Sequence, residues 1–270
     1  MSEAWGDGIE SQRVAMAANY SDRSEQRWAF HYTSDPLTRF LRDRRLRVAL
    51  KILQDQGHLD PANQSVLLVC GGVGGEGTFL RDFGFQDVTV SDISKEALES
   101  CGRFDPRLQT MLLNAESMTD LPDRSYDIVL VQDGLHHLPR PVLGYTEMLR
   151  VARVAAIVIE PHYGAVGKWI GREWEVNGDA VNYVFRWNRS ILEQATRSYL
   201  LDKDSAVVPH RLWDHNLAVG RAVARMPRQL QVRAAKAIYA ALRPFDRFGN
   251  MMVGVALKPD GPPPLRLTSH

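Results

Sequence analysis

Two adjacent histidines, His136 and His137, follow an apolar run and stand beside Asp133, and a second apolar run ends in Glu160-Pro161-His162. Imidazoles and carboxylates at the ends of buried strands are the groups that accept a proton from a reacting hydroxyl near neutral pH. His136, His137 and Glu160 are therefore the candidates for a general base, with Asp133 beside them. Adjacent side chains leave the backbone in different directions, so at most one of the two histidines faces a substrate. Glu160 also has a structural use open to it, since an acid ending a strand often hydrogen-bonds the next loop. Glu160 and His162 are one residue apart on an alternating strand, the spacing of a metal pair, but no third ligand lies nearby in sequence and no metal site is expected.

A second constellation lies upstream, in VLLVCGGVGGEGTFLRDFGFQDVTVSD from Val66 to Asp92. Val66 to Val69 is short and apolar enough for a buried strand, and Gly71, Gly72, Gly74, Gly75 and Gly77 lack the Cβ atoms that would hold a ligand off the backbone. Thr78 to Gly84 continues as a short helix. Val88-Thr89-Val90 is the next strand, and it places Asp92 at its carboxyl end, at the spacing from Gly72 where an acid accepts hydrogen bonds from ribose hydroxyls. Read literally, Gly72 to Gly77 is GxGxxG, which suits a nicotinamide or flavin dinucleotide. Glu76 argues against that, because a carboxylate at the helix N-terminus competes with a diphosphate. A cofactor carrying an amino group suits it better.

The elements that must position these residues resemble, from about Asn63 to Pro161 and again near Met251 to Lys258, the class I S-adenosylmethionine-dependent methyltransferases of small molecules. Gly72 and Gly74 match the last two glycines of that family's first motif, while Leu68 and Cys70 stand where its acid and first glycine usually are. The resemblance implies that Gly71, Gly72, Gly74 and Glu76 meet the methionine end of S-adenosylmethionine. It likewise assigns Asp92 to the ribose, Ile93 to the adenine face, and Asn114 and Ala115 to the adenine amino group. Ser125 to Val131 resembles the fourth strand, and Gln132 to Leu138 the loop that passes beneath the transferring methyl group. Ala155 to Glu160 reads as a fifth buried strand. The implied fold is an α/β, doubly wound, Rossmann-like, mostly parallel seven-stranded sheet. The implied activity is methyl transfer to a small or medium-sized, partly apolar acceptor, as in secondary metabolism. O-methylation suits a histidine-lined site, and C-methylation of an electron-rich or prenyl-like carbon is the alternative. A dinucleotide oxidoreductase and a non-catalytic cofactor-binding protein are the readings from other classes.

Residues 61–162 form the expected cofactor-binding core, residues 1–60 a helical cover, residues 163–250 a substrate lid inserted before the last strand, and residues 251–270 that strand and a tail. In the cover, Ser34-Asp35-Pro36 starts a helix with Leu37, Phe40, Leu41, Ala49, Leu50 and Leu53 on its apolar stripe. Its Arg39, Arg42, Arg45 and Arg47 read as a solvated face. In the insertion, Trp169, Trp174, Tyr183, Phe185 and Trp187 offer either an acceptor pocket or core packing. Asn188-Arg189-Ser190 opens a helix, and a strand is expected near Ala206 to Val208. The basic stretch from Arg221 to Arg247 places Arg233, Lys236 and Arg243 opposite Leu230, Ala237 and Ala241. That face suits solubility first, then a lid, a membrane-surface contact or an anionic acceptor.

The 270 residues, 44% hydrophobic, suffice for one large core. With 33 Lys and Arg against 32 Asp and Glu, no global charge points to nucleic acid. No stretch approaches the roughly 20 apolar residues that span a bilayer, so stable membrane insertion is not expected. The 2 cysteines, Cys70 and Cys101, form no metal or redox motif, and a reducing cytoplasm is the simplest setting.

Overall fold

A computed structural model describes residues 31–165, 169, 173–177, 180–202 and 205–258, together with 10–11, 14–15 and 17–18. Strands β1 (Ser65–Val69), β2 (Asp87–Asp92), β3 (Gln109–Leu112), β4 (Tyr126–Gln132), β5 (Ala152–Pro161), β8 (Ala206–Leu212) and β9 (Met251–Leu257) make a seven-stranded sheet in the order β3-β2-β1-β4-β5-β9-β8. The first five run parallel, and β9 is antiparallel to both β5 and β8. The strand order reverses between β1 and β4, which opens a crevice at their carboxyl ends.

The central strands are buried on both faces, so they are continuous apolar runs that divide by strict alternation. Leu68, Leu130 and Ile157 pack on one face beneath Leu46, Leu50 and Leu53 of α1 (Pro36–Asp55) and Phe79 and Leu80 of α2 (Gly75–Phe83). Leu67, Val69, Val129 and Val158 pack on the other, against Tyr145 and Met148 of α4 (Pro141–Val151) and Leu192 of α5 (Arg189–Leu200). Helix α3 (Lys95–Phe104) follows β2. Asp35 caps α1 by accepting the Thr38 N–H at 2.9 Å, with Pro36 in the first turn, and Asn188 caps α5 at Ile191 N. Both helix starts lie where the sequence places them.

Three expectations need correction. Helix α2 begins at Gly75, three residues before Thr78, which brings Glu76 into its first turn. Part of the 163–250 insertion, expected as a lid, belongs to the sheet: β8 pairs along the whole of β9, and the alternating Val207 and Val208 face the sheet's two sides. The apolar side of α7 (Arg228–Leu242) is Ala235 and Tyr239, packed with α6 (Asn216–Val223) on α1, whereas Leu230, Ala237 and Ala241 are exposed. The rest of the described insertion is a separate hairpin of β6 (Trp174–Asn177) and β7 (Ala180–Tyr183). No helix among the described residues is long and apolar enough to cross a membrane.

Candidate active site

The crevice is a cavity of about 360 Å³, within the range of small-molecule sites. Its floor is the turn from β1 into α2. Gly71 N donates to Ser91 O at 2.8 Å, and the backbone then turns through left-handed residues at Gly72 (φ 51°) and Gly74 (φ 81°). The glycines serve different ends. A Cβ on Gly72 would meet nothing within 4 Å, whereas one on Gly74 would strike Cys101 Sγ at 2.4 Å. Gly74 does not line the cavity; it caps α2 and packs tightly against Cys101 of α3.

Asp92 ends β2 and ties the turn down, its Oδ2 accepting from Gly72 N at 2.8 Å and its Oδ1 from Ser94 N at 2.9 Å. Burial pushes its pKa up, against the opposing pull of these N–H groups. Each oxygen retains a lone pair for a ligand hydroxyl. Ile93, Asn114 and Ala115 continue the wall, with Asn114 Oδ1 accepting from Glu116 N at 3.0 Å to hold the loop after β3. Gln132, at the end of β4, donates Nε2 to Glu76 Oε1 at 2.9 Å. Its Oε1 is buried without a hydrogen-bond partner. A buried acceptor at the cavity wall calls for a donor from a ligand.

The three base candidates part company. Glu160 has no solvent exposure; Oε1 accepts from Gly134 N at 2.8 Å and Leu135 N at 2.7 Å, and Oε2 lies 2.6 Å from His136 Nδ1. Burial alone would lower the His136 pKa, but the facing Glu160 carboxylate brings it up to about 9. His136 thus carries a proton at neutral pH, and neither it nor Glu160 lines the cavity. Their hydrogen bonds hold the turn Leu135–His137 in place. His137 alone of the three stands in the cavity wall. Glu160 and His162 do not converge, because the Glu160 carboxylate is committed to His136.

Two of the α1 arginines do not belong to the solvated face that their charge pattern predicts. Arg42 is 4% and Arg45 8% exposed, and both line the cavity. Arg45 pairs with Asp133 through NH1 at 2.9 Å and NH2 at 2.5 Å, and its Nε faces Asp214 at 3.4 Å. Removal from water would raise the Asp133 pKa, but Arg45 holds it below the usual carboxylate range. Arg42 bonds Asp43 at 2.6 Å and the His31 carbonyl. The signal was present in the spacing: Arg45 is four residues after Leu41 and four before Ala49, inside the apolar stripe. His31 and Asn216 complete this wall and carry no comparable signal. The aromatic residues of the insertion do not reach the cavity. Trp187 is core, T-shaped against Tyr145, while Trp169, Trp174 and Tyr183 are exposed.

Residues 68–159 match the model of a family described as Methyltransferase domain. No curated protein matches the chain. Among solved structures, the plantazolicin methyltransferase BamL, in complex with a triazolic desmethylPZN analog and SAH, is 13% identical at a TM-score of 0.58, over 95% of this chain and 98% of that one. Magnesium protoporphyrin IX methyltransferase (ChlM) from Synechocystis PCC 6803 with bound SAH is 12% identical at 0.58, over 91% and 99%. The [4+2]-cyclase SpnF is 16% identical at 0.53, over 80% and 82%, so the fold also carries other chemistry. The match of Leu68 to Ile159 to a methyltransferase domain, on a fold shared with methyltransferases that bind SAH, supports an S-adenosylmethionine-dependent methyltransferase.

Proposed function

We propose that the protein O-methylates a small or medium-sized, partly apolar acceptor whose hydroxyl lies against His137. S-adenosylmethionine supplies an electrophilic methyl on a sulfonium. The chain's own residues bind the donor, align the acceptor and take up the hydroxyl proton. Asp92 holds the ribose hydroxyls, Ile93 covers the adenine face, and Asn114 with Ala115 reads the adenine amino group. Gly71 and Gly72 let the amino-acid end approach the backbone. Glu76 and the unpartnered Gln132 Oε1 receive its ammonium group. Residues 61–162 would bind the donor, residues 1–60 and 163–250 would shape the acceptor end, and residues 251–270 would complete the sheet. A reducing, cytoplasmic setting fits the free thiols of Cys70 and Cys101.

The observation that carries O-methylation is the position of His137 on the cavity wall beside Gln132, with His136 and Glu160 committed behind it. C-methylation rested on aromatic residues of the insertion, and none of the described ones lines the cavity, which favours the oxygen acceptor. Screening hydroxylated acceptors with labelled S-adenosylmethionine tests this reading. His137→Ala should then lower kcat about 100-fold or more and leave the donor Kd unchanged. Equal loss in both would make His137 a donor-positioning residue.

A further inference from the structure

We propose that His136, His137 and Glu175 form a binding site for a zinc-like divalent cation that fastens the β6–β7 hairpin onto the turn after β4. The atoms these three side chains can offer all lie within 4.8 Å of one another. His137 Nδ1 is 3.5 Å from Glu175 Oε2, and the two imidazole rings stand 4.0 Å apart at 43°. Two imidazoles and one carboxylate suit zinc and its first-row neighbours, whereas magnesium and calcium take oxygen ligands. Zinc bonds of about 2.0–2.2 Å would draw the atoms inward by roughly 1 Å. Glu175, 34% exposed, has the room to make that movement.

The buried carboxylate behind the cluster is what separates it from a chance grouping of surface side chains. Glu160 is pinned by two backbone N–H groups and fixes His136 through Nδ1 at 2.6 Å. His136 is thereby directed to ligate through Nε2, the carboxylate–histidine–metal arrangement that sets ring orientation and ligand basicity. Glu160 and Glu175 face the two imidazoles, and so does Asp133, which also pairs with Arg45.

This inference goes beyond methyl transfer and is measured without it. Untagged protein titrated calorimetrically with Zn²⁺ should bind one ion per chain with micromolar or tighter Kd, and Co²⁺ should give visible d–d absorption. Both signals should vanish in Glu175→Ala with far-UV circular dichroism and donor affinity unchanged. Glu160→Gln should weaken Zn²⁺ binding about 10–100-fold through the second carboxylate. No stoichiometric binding to the wild type, or binding that Glu175→Ala leaves intact, overturns the site. An ion-held His137 cannot accept a proton, so zinc should inhibit methyl transfer and a chelator should restore it. Stimulation by zinc would overturn His137 as the base and leave the ion site standing.

Discussion

Replacing Glu160 by Gln would keep the shape of a side chain with no solvent exposure and remove its charge. The amide oxygen can still accept from Gly134 and Leu135, but the amide nitrogen would then face His136 Nδ1, and the protonated imidazole would lose its counter-charge. Burial depresses the His136 pKa and Glu160 more than offsets it, taking it from 6.5 to about 9. At 1.36 kcal/mol per pKa unit, a rise of that size is worth about 3 kcal/mol of stability. The folded protein holds the proton more tightly than the unfolded chain does. The contribution is therefore complete below about pH 6.5, falls away as pH climbs through about 9 and is absent above it. Urea unfolding of wild type and Glu160→Gln, followed by circular dichroism across that window, should show a stability difference that shrinks by about 2–4 kcal/mol. Subtracting the variant cancels the other titrating groups. A difference that stays constant with pH would refute the charged His136–Glu160 pair.

Arg45→Ala would leave Asp133, its side chain 41% exposed, and Asp214, 10% exposed, without their shared cation, and should cost about 1–3 kcal/mol of unfolding free energy at neutral pH, between a surface and a buried pair. A loss below about 0.5 kcal/mol would mean that the pair behaves like a surface salt bridge. Gly74→Ala should destabilise by about 1–3 kcal/mol, because φ is 81° and the new methyl meets Cys101 Sγ at 2.4 Å. Adding Cys101→Ala should recover the steric part alone, read by the same unfolding titration; full recovery would remove the backbone argument.

Much of the core was legible because parallel strands buried on both faces must be short apolar runs, and Val66 to Val69, Ile128 to Val131 and Ala155 to Ile159 are such runs. Gln132 was legible for the same reason, as the first polar residue after Val131, and Asp92 because it ends β2 at a spacing of 20 residues from Gly72. What could not be read depends on pairings distant in sequence. His136 meets Glu160 across 24 residues, and only the β4–β5 register brings them together. Arg45 reaches Asp133 over 88 residues, so a helix arginine that looks solvated from its charge becomes part of the site once α1 is laid over β4. β8 was short in sequence because Pro209, His210 and Arg211 weaken its apolar pattern. Pairing with β9 extends it to Leu212.

Calorimetric titration with S-adenosylmethionine and NADP in parallel, on wild type and Asp92→Ala, tests the central claim most directly. Wild type should bind S-adenosylmethionine once per chain at micromolar Kd and ignore NADP. Asp92→Ala should weaken the donor by about 1–3 kcal/mol as its charge-assisted hydrogen bonds are lost. NADP binding in place of S-adenosylmethionine, or donor affinity indifferent to Asp92, would contradict the account.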